Sequence, residues 1–176
     1  MILETIQLSK RYGKRIGVES LNLEIHEGDL FGFLGPNGSG KTTTIRLLMG
    51  FLRPTSGKAR ILGFDCWRDS PRVKAETGYL PGDLRLYPWL TGRIAADRFG
   101  RMHGRSLQKE YRELACLFDF DLDLPVRRMS KGTRQKLGLT MALAHRPRLL
   151  ILDEPTTALD PLIQIVLYQR LHSLAE

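Results

Sequence analysis

The chain opens with a two-residue period. Ile2–Leu8 alternates apolar and polar positions, and Leu21, Leu23 and Ile25 alternate with Asn22 and Glu24. This is the pattern of strands with one buried face. His26-Glu27-Gly28-Asp29 is a turn signal. Leu30–Leu34 follows as a short unbroken apolar run, which predicts a buried parallel strand. After a glycine-rich loop over 35–40, Thr42–Met49 turns helical, with Ile45, Leu48 and Met49 on one side and Gly50 near its end. Arg53–Gly57 reads as a turn, Lys58–Leu62 as a strand, and Gly78–Leu80 as a further strand closed by Pro81-Gly82.

The middle of the chain has a different period. Thr91 is placed to cap a helix running through Met102, and Leu107, Tyr111, Leu114, Ala115 and Phe118 recur at helical spacing. Ser130 caps a predicted helix over Lys131–Ala144. Leu149–Leu152 returns to a buried strand, and Pro161–Ala175 reads as a last helix. These periods predict an α/β fold whose core is interrupted by a helical insertion over roughly 84–146, with 1–83 before it and 147–176 returning to the core. Periodicity leaves open whether the insertion is a lid, an interaction arm or scaffold.

Composition narrows the class. With 176 residues, 42% hydrophobic and 26% charged, the chain is expected to be one soluble globular domain. The apolar run Leu149–Leu152 is far too short to cross a bilayer, and Glu4, Thr5 and Gln7 do not suit a secretory leader, so any link to a membrane is expected through a partner. Cys66 and Cys116 form no metal-ligand pair and read as reduced thiols. The net charge of +8 is spread out, with small clusters at Lys10–Arg15 and Arg127–Lys136, and no basic run is interleaved with aromatics, so nucleic acid is not the expected partner.

Two segments carry chemistry. Gly35-Pro36-Asn37-Gly38-Ser39-Gly40-Lys41-Thr42 satisfies GxxxxGK[ST]. Its glycines let the backbone wrap closely and turn successive N–H groups inward, and the helix that follows aims its N-terminus at the same point. Lys41 supplies a charge for β and γ phosphates, and the Thr42 hydroxyl suits Mg²⁺. The second segment, Leu149–Leu152 followed by Asp153-Glu154, is an apolar strand ending in two carboxylates. Asp153 is the candidate metal ligand and Glu154 the candidate general base for an attacking water.

In this order the segments resemble the ABC ATPases. Gly35–Thr42 is similar to a Walker A motif and Leu149–Glu154 to a Walker B motif with its catalytic glutamate. Met129-Ser130-Lys131-Gly132-Thr133-Arg134-Gln135 resembles the ABC signature, usually LSGGQ, and Ala158-Leu159-Asp160 the D-loop. Tyr12 matches the aromatic that stacks on adenine. The resemblance covers essentially the whole chain. It implies a P-loop NTPase core with an N-terminal antiparallel β subdomain and an inserted α-helical subdomain. It further implies ATP and Mg²⁺ as ligands and a cytoplasmic subunit powering a membrane transporter through permease subunits, in the style of ABC-2 exporters. Nucleotide would be held by Tyr12, by Gly35, Pro36, Asn37, Gly38, Ser39, Gly40, Lys41, Thr42 and Thr43, and by Ser130 and Gly132 of a second domain in a head-to-tail dimer. Thr42 and Asp153 would hold the metal, and Glu154 and Lys41 would act in catalysis.

There are three departures from the family pattern. Lys131 and Thr133 replace signature residues. Gly82, followed by Asp83, stands where the family has the Q-loop glutamine, and glycine offers Mg²⁺ no side chain. No histidine occupies the switch position expected one strand beyond the D-loop helix; His172 lies inside that helix and reads as a surface or packing residue. The chain therefore reads as C-terminally truncated relative to the family. A domain that holds ATP without turnover, and an ABC ATPase acting on nucleic acid, are the alternatives. Tyr87 and Trp89, after the Q-loop position, fit either an interface or the core of the insertion.

Overall fold

The computed structural model describes residues 1–175, in two compact units. The first comprises Met1–Glu76 together with Ala175. It holds β1 (Leu3–Tyr12), β2 (Arg15–Ile25), α1 (Lys41–Leu48), β3 (Ser56–Ile61), β4 (Phe64–Asp65) and α2 (Ser70–Glu76). The four strands form an antiparallel sheet in the order β2-β1-β3-β4. A tight turn through Gly13, at φ 59°, joins β1 to β2 in a register that pairs Tyr12 with Arg15 and Leu3 with Ile25. β1 buries Leu3 and Thr5 on one face, and a register shift between Thr5 and Leu8, at the left-handed Gln7, breaks the expected alternation so that Leu8 is buried and Ile6 exposed; the Thr5 hydroxyl donates to the Leu21 carbonyl at 3.0 Å. Ile61 of β3 and Leu47, Leu48 and Met49 at the end of α1 are also buried.

Leu30–Leu34 departs from expectation. The segment belongs to neither sheet, and its apolar side chains are exposed, Leu34 at 92%. A strand exists only through a neighbour that completes its hydrogen bonds, and no strand among the described residues pairs with this one. Its composition signals burial without supplying that neighbour.

The second unit spans Thr77–Leu174. It contains β5 (Thr77–Leu80), α3 (Gly92–Met102), α4 (Gln108–Phe118), a 3₁₀ turn (Val126–Arg128), α5 (Lys131–Leu143), β6 (Leu149–Leu152) and α6 (from Pro161). β5 and β6 pair in parallel, Thr77 with Leu149 through Leu80 with Leu152. A parallel pair needs a long crossover, and residues 81–148, with three helices, provide it. The expected caps are present: the Thr91 hydroxyl accepts from the Ile94 N–H at 3.2 Å, and the Ser130 hydroxyl from the Thr133 N–H at 3.0 Å. Leu80, Leu107, Tyr111, Phe118, Leu137, Leu139 and Leu167 are fully enclosed and form one core. Glycine sets how close α5 comes to β5. A Cβ on Gly78 would lie 2.2 Å from the Ala142 carbonyl oxygen.

His145, just after α5, stacks on His103 with ring centroids 4.5 Å apart. Burial first, then the charge of His103 and Arg105, lowers its pKa from 6.5 to about 4. The carbonyls of Met141 and Thr77 oppose the shift, but neither is a well-directed hydrogen-bond partner. In the window from pH 6.5 down to about 4 the unfolded chain binds a proton that the folded chain refuses. This contribution to stability is whole above the window and is lost as pH falls through it. Thermal melts should show a falling midpoint from pH 6.5 towards about 5, with a shallower slope in His145→Phe. Equal slopes in the two proteins would refute the assignment.

Candidate functional site

In the first unit the phosphate loop enters α1 through two glycines in the left-handed region, Gly38 at φ 84° and Gly40 at φ 94°. Successive N–H groups in such a backbone turn to one side, where an anion would sit. Gly40 is also irreplaceable on space: a Cβ there would fall 2.3 Å from the Gly17 carbonyl oxygen. The first intrahelical bond runs from the Thr44 N–H to the Gly40 carbonyl at 2.8 Å, so the N–H groups of residues 41–43 have no helical acceptor. The Lys41 ammonium folds over the loop, donating to the carbonyls of Gly35 at 2.5 Å and Pro36 at 3.0 Å. Residues 35–39 and Thr42 are exposed.

Tyr12 lies near this loop. Its ring edge packs on Gly17, where a Cβ would be 2.9 Å from Cε2 of the ring and 3.2 Å from the methyl of Thr43. Gly17 thus links the aromatic ring, Thr43 and Gly40. The ring is 45% exposed, with the Lys10 ammonium 5.5 Å from its centroid, so it can still accept a flat partner. This role of Gly17 is invisible in sequence, where the residue is one glycine within an ordinary strand.

In the second unit the strand ends β5 and β6 leave the sheet together. The Asp153 N–H donates to the Leu80 carbonyl at 2.9 Å, which extends the ladder by one bond and sets the Asp153 carboxylate beside Gly82. A Cβ on Gly82 would stand 3.2 Å from Asp153 Oδ2, so residue 82 lies against the candidate metal ligand. The carboxylate of the next residue, Asp83, is exposed and pairs with Arg85 at 2.8 Å. Glu154 is exposed, with its backbone left-handed at φ 50°, and its carboxylate accepts from the Thr157 hydroxyl at 3.3 Å. No ion pair among the described residues involves Asp153 or Glu154, which leaves both carboxylates available. A hydroxyl and a carboxylate, Thr42 and Asp153, are hard oxygen donors of the kind Mg²⁺ takes.

The signature segment forms the start of α5. Ser130 is both cap and candidate ligand: its hydroxyl accepts from the Thr133 N–H and shares a 2.8 Å hydrogen bond with the Thr133 hydroxyl. Gly132 has a reason of its own within the subunit, since a Cβ there would meet the Ala158 carbonyl oxygen at 2.6 Å. Ala158 is also left-handed, at φ 60°. The turn from Glu154 to Ala158 therefore carries two non-glycine residues in a conformation that costs about 1–2 kcal/mol each. Gln135, 7% exposed, donates from Nε2 to the carbonyls of Glu154 and Pro155, both at 3.2 Å, two bonds worth about 1 kcal/mol each.

With this geometry in place, comparison with known proteins is decisive. The family model described as "ABC transporter" matches residues 18–157, which include the phosphate loop, the signature segment and the acidic pair. The chain belongs to the ABC transporter family. Among curated members it is 38% identical over 179 residues to the bacitracin transport ATP-binding protein of Bacillus licheniformis, covering 99% of this chain and 58% of that protein. It is 38% identical over 178 residues to the Nod factor export ATP-binding protein I of Cupriavidus pinatubonensis, covering 98% of this chain and 55% of that protein. The chain thus spans little more than half the length of these ABC relatives. A solved ATP-binding subunit of an ABC transporter superposes with a TM-score of 0.91 at 28% identity, over 99% of this chain and 75% of that one. The dimeric cassette MJ0796 in a post-hydrolysis state with ADP and Pi shares the fold, with a TM-score of 0.88 at 23% identity over 99% of this chain and 83% of that one.

Tyr87 and Trp89 are exposed rather than core, stacked at 5.4 Å with the Arg98 guanidinium 4.9 Å from the Trp89 ring. His172 is an exposed residue of α6. Cys66 and Cys116 are both free, and burial with the Asp65 charge pushes the Cys66 thiol up to about 12, which keeps it protonated and inert. No helix among the described residues is long and apolar enough to cross a membrane. The close approach at Gly132 is directly testable. Gly132→Ala should lower stability by about 1–3 kcal/mol through overpacking against the Ala158 carbonyl, measured by urea unfolding. An unchanged midpoint would show that α5 and the turn part freely.

Proposed function

We propose that this chain is the nucleotide-driven part of a membrane exporter, binding ATP and hydrolysing it with Mg²⁺. The observation that carries this reading is the phosphate loop, where two left-handed glycines, the open N–H groups of α1, the Lys41 ammonium and the Tyr12 ring gather within one unit. That combination suits a polyanion attached to a flat ring. On this reading the acidic pair of the second unit serves the same nucleotide.

The residues divide the work as follows. Tyr12 stacks on adenine, and the backbone of Gly35–Ser39 with Gly40, Lys41, Thr42 and Thr43 receives the phosphates. Lys41 exchanges its loop carbonyls for β and γ phosphate oxygens, a short movement for a flexible side chain. Thr42 and Asp153 hold Mg²⁺, which neutralises charge on the phosphates when bound. Glu154 accepts a proton from the attacking water. Ser130 and Gly132 serve the nucleotide of a second ABC domain in a head-to-tail dimer, with the N-terminus of α5 and the nearby Lys131 adding positive potential. A Ser130 hydroxyl that donates to a γ-phosphate can still accept from the Thr133 N–H, and the Thr133 hydroxyl can then act as donor in the pair it forms with Ser130.

Export is drawn from the relatives named for bacitracin transport and Nod factor export, and attachment to permease subunits from the family resemblance. The exposed stack of Tyr87 and Trp89, with Arg98, supplies an aromatic and cationic surface suited to such a partner.

Steady-state hydrolysis of Mg-ATP is the first test, beside Lys41→Ala and Glu154→Gln. Turnover should fall at least about 10²-fold in both variants. Lys41→Ala should lose ATP binding, whereas Glu154→Gln should keep it and accumulate an ATP-dependent dimer in gel filtration. Binding without turnover in the wild type would leave a domain that holds ATP only, and absence of binding in a folded sample would refute the reading altogether.

A further inference from the structure

The residue that ties the signature helix to the acidic turn has no assigned part in the reaction. Gln135 is the fifth residue of α5, on the turn of helix that follows Ser130 and Gly132. It is a polar side chain in a nearly closed position, and it points its amide at two consecutive carbonyls, those of Glu154 and Pro155. Neither carbonyl belongs to a helix or strand. The Glu154 carbonyl also receives the Thr157 N–H at 3.1 Å, and Leu159 closes the turn by donating to Thr156 at 3.1 Å. The backbone of Glu154 thus stands in a left-handed conformation with its carbonyl held from two sides, one of them a helix nineteen residues earlier in the chain.

We infer that Gln135 is a positioning residue for Glu154: its carboxamide straps the acidic turn to the first turns of the signature helix and fixes the backbone from which the Glu154 carboxylate reaches. This rests on the ATPase reading of Glu154 given above. The strap is reinforced at its far end by the Gly132 contact with the Ala158 carbonyl, so the helix grips the turn at both of its left-handed residues. A helix held this way moves with the turn as one body. A γ-phosphate pulling on Ser130 and Gly132 from a second subunit therefore acts on the Glu154 of the subunit that owns the helix. Gln135 is in this way the link by which one nucleotide site of the dimer registers occupancy of the other.

Two variants separate positioning from packing. Gln135→Met keeps the length of the side chain and removes both donors. Gln135→Glu keeps the shape and sets a carboxylate against two carbonyls at neutral pH, but regains a donor when protonated. Gln135→Met should lower kcat about ten- to a hundredfold while leaving the ATP dissociation constant and KM within about twofold, as misplacement of a reacting group does. The activity of Gln135→Glu, taken as a ratio to wild type, should rise as pH falls from about 8 to about 6, a response that a packing role would not give. Independently of turnover, amide exchange at Thr157 and Leu159 should quicken about tenfold or more in Gln135→Met while the Leu139 amide is unchanged. If wild type does not hydrolyse ATP, the ATPase reading fails and the exchange measurement alone judges the strap. Unchanged exchange at Thr157 and Leu159, or a wild-type kcat in Gln135→Met, would overturn the inference.

Discussion

The second unit depends on how closely α5 lies against β5. Gly78 on the strand has no room for a Cβ against the Ala142 carbonyl, and Gly138 on the helix has none against Leu80 and Leu84. With side chains absent at these two positions, the helix packs onto the strand, and both become enclosed. The parallel partner β6 then ends beside β5, since the Asp153 N–H continues their ladder onto Leu80. From this follow the location of Asp153 against Gly82, the exit of Glu154 into a turn, and the meeting of that turn with the start of α5. A Cβ added at Gly78 would push the helix outward and loosen all three.

The parts legible in sequence were those whose chemistry is local. The phosphate loop is spelled by eight consecutive residues, because the nest, the helix start and the lysine are all neighbours in the chain. Thr91 and Ser130 were readable as caps for the same reason, and so was Leu149–Leu152 as a strand ending in carboxylates. What could not be read depended on distant partners. Leu30–Leu34 has the composition of a buried strand, yet burial needs a neighbour that the segment itself does not encode. α2, with Pro71 near its start and a single buried residue in Val73, is too short to show a period. Gln135 looks like one more polar residue on a basic helix. Only the structure shows it buried beside Leu137, Gly138 and Leu139 and names the carbonyls that satisfy it.

The departures from the family pattern acquire physical meaning once the turn is seen. A side chain at position 82 would crowd the Asp153 carboxylate, 3.2 Å from a Cβ there, and Asp83 pairs with Arg85. Lys131 sits in the first turn of α5, where a cation opposes the helix dipole at a cost of a few tenths of a kcal/mol. A basic residue at a helix N-terminus is unfavourable for the isolated helix and favourable when an anion approaches, which accords with the phosphate contact proposed for this helix end. Thr133 has a fold-level role of its own, pairing with the Ser130 hydroxyl through a 2.8 Å hydrogen bond.

That pairing bears on how the signature helix could respond to a nucleotide. A serine that only capped α5 would be interchangeable with aspartate or asparagine, which cap equally well. A serine that also turns its proton outward must keep a hydroxyl, because a carboxylate facing a phosphate would repel it. Thr133 gives the Ser130 hydroxyl a partner at 2.8 Å, and in the proposed dimer a turn of the Ser130 proton towards a phosphate would leave the cap bond to the Thr133 N–H intact. The helix therefore keeps its first turn through the exchange. With Gly132 against Ala158 and Gln135 on Glu154 and Pro155, a first turn that stays folded is what allows a force applied at Ser130 to reach the carboxylate of Glu154 rather than being spent in fraying the helix end.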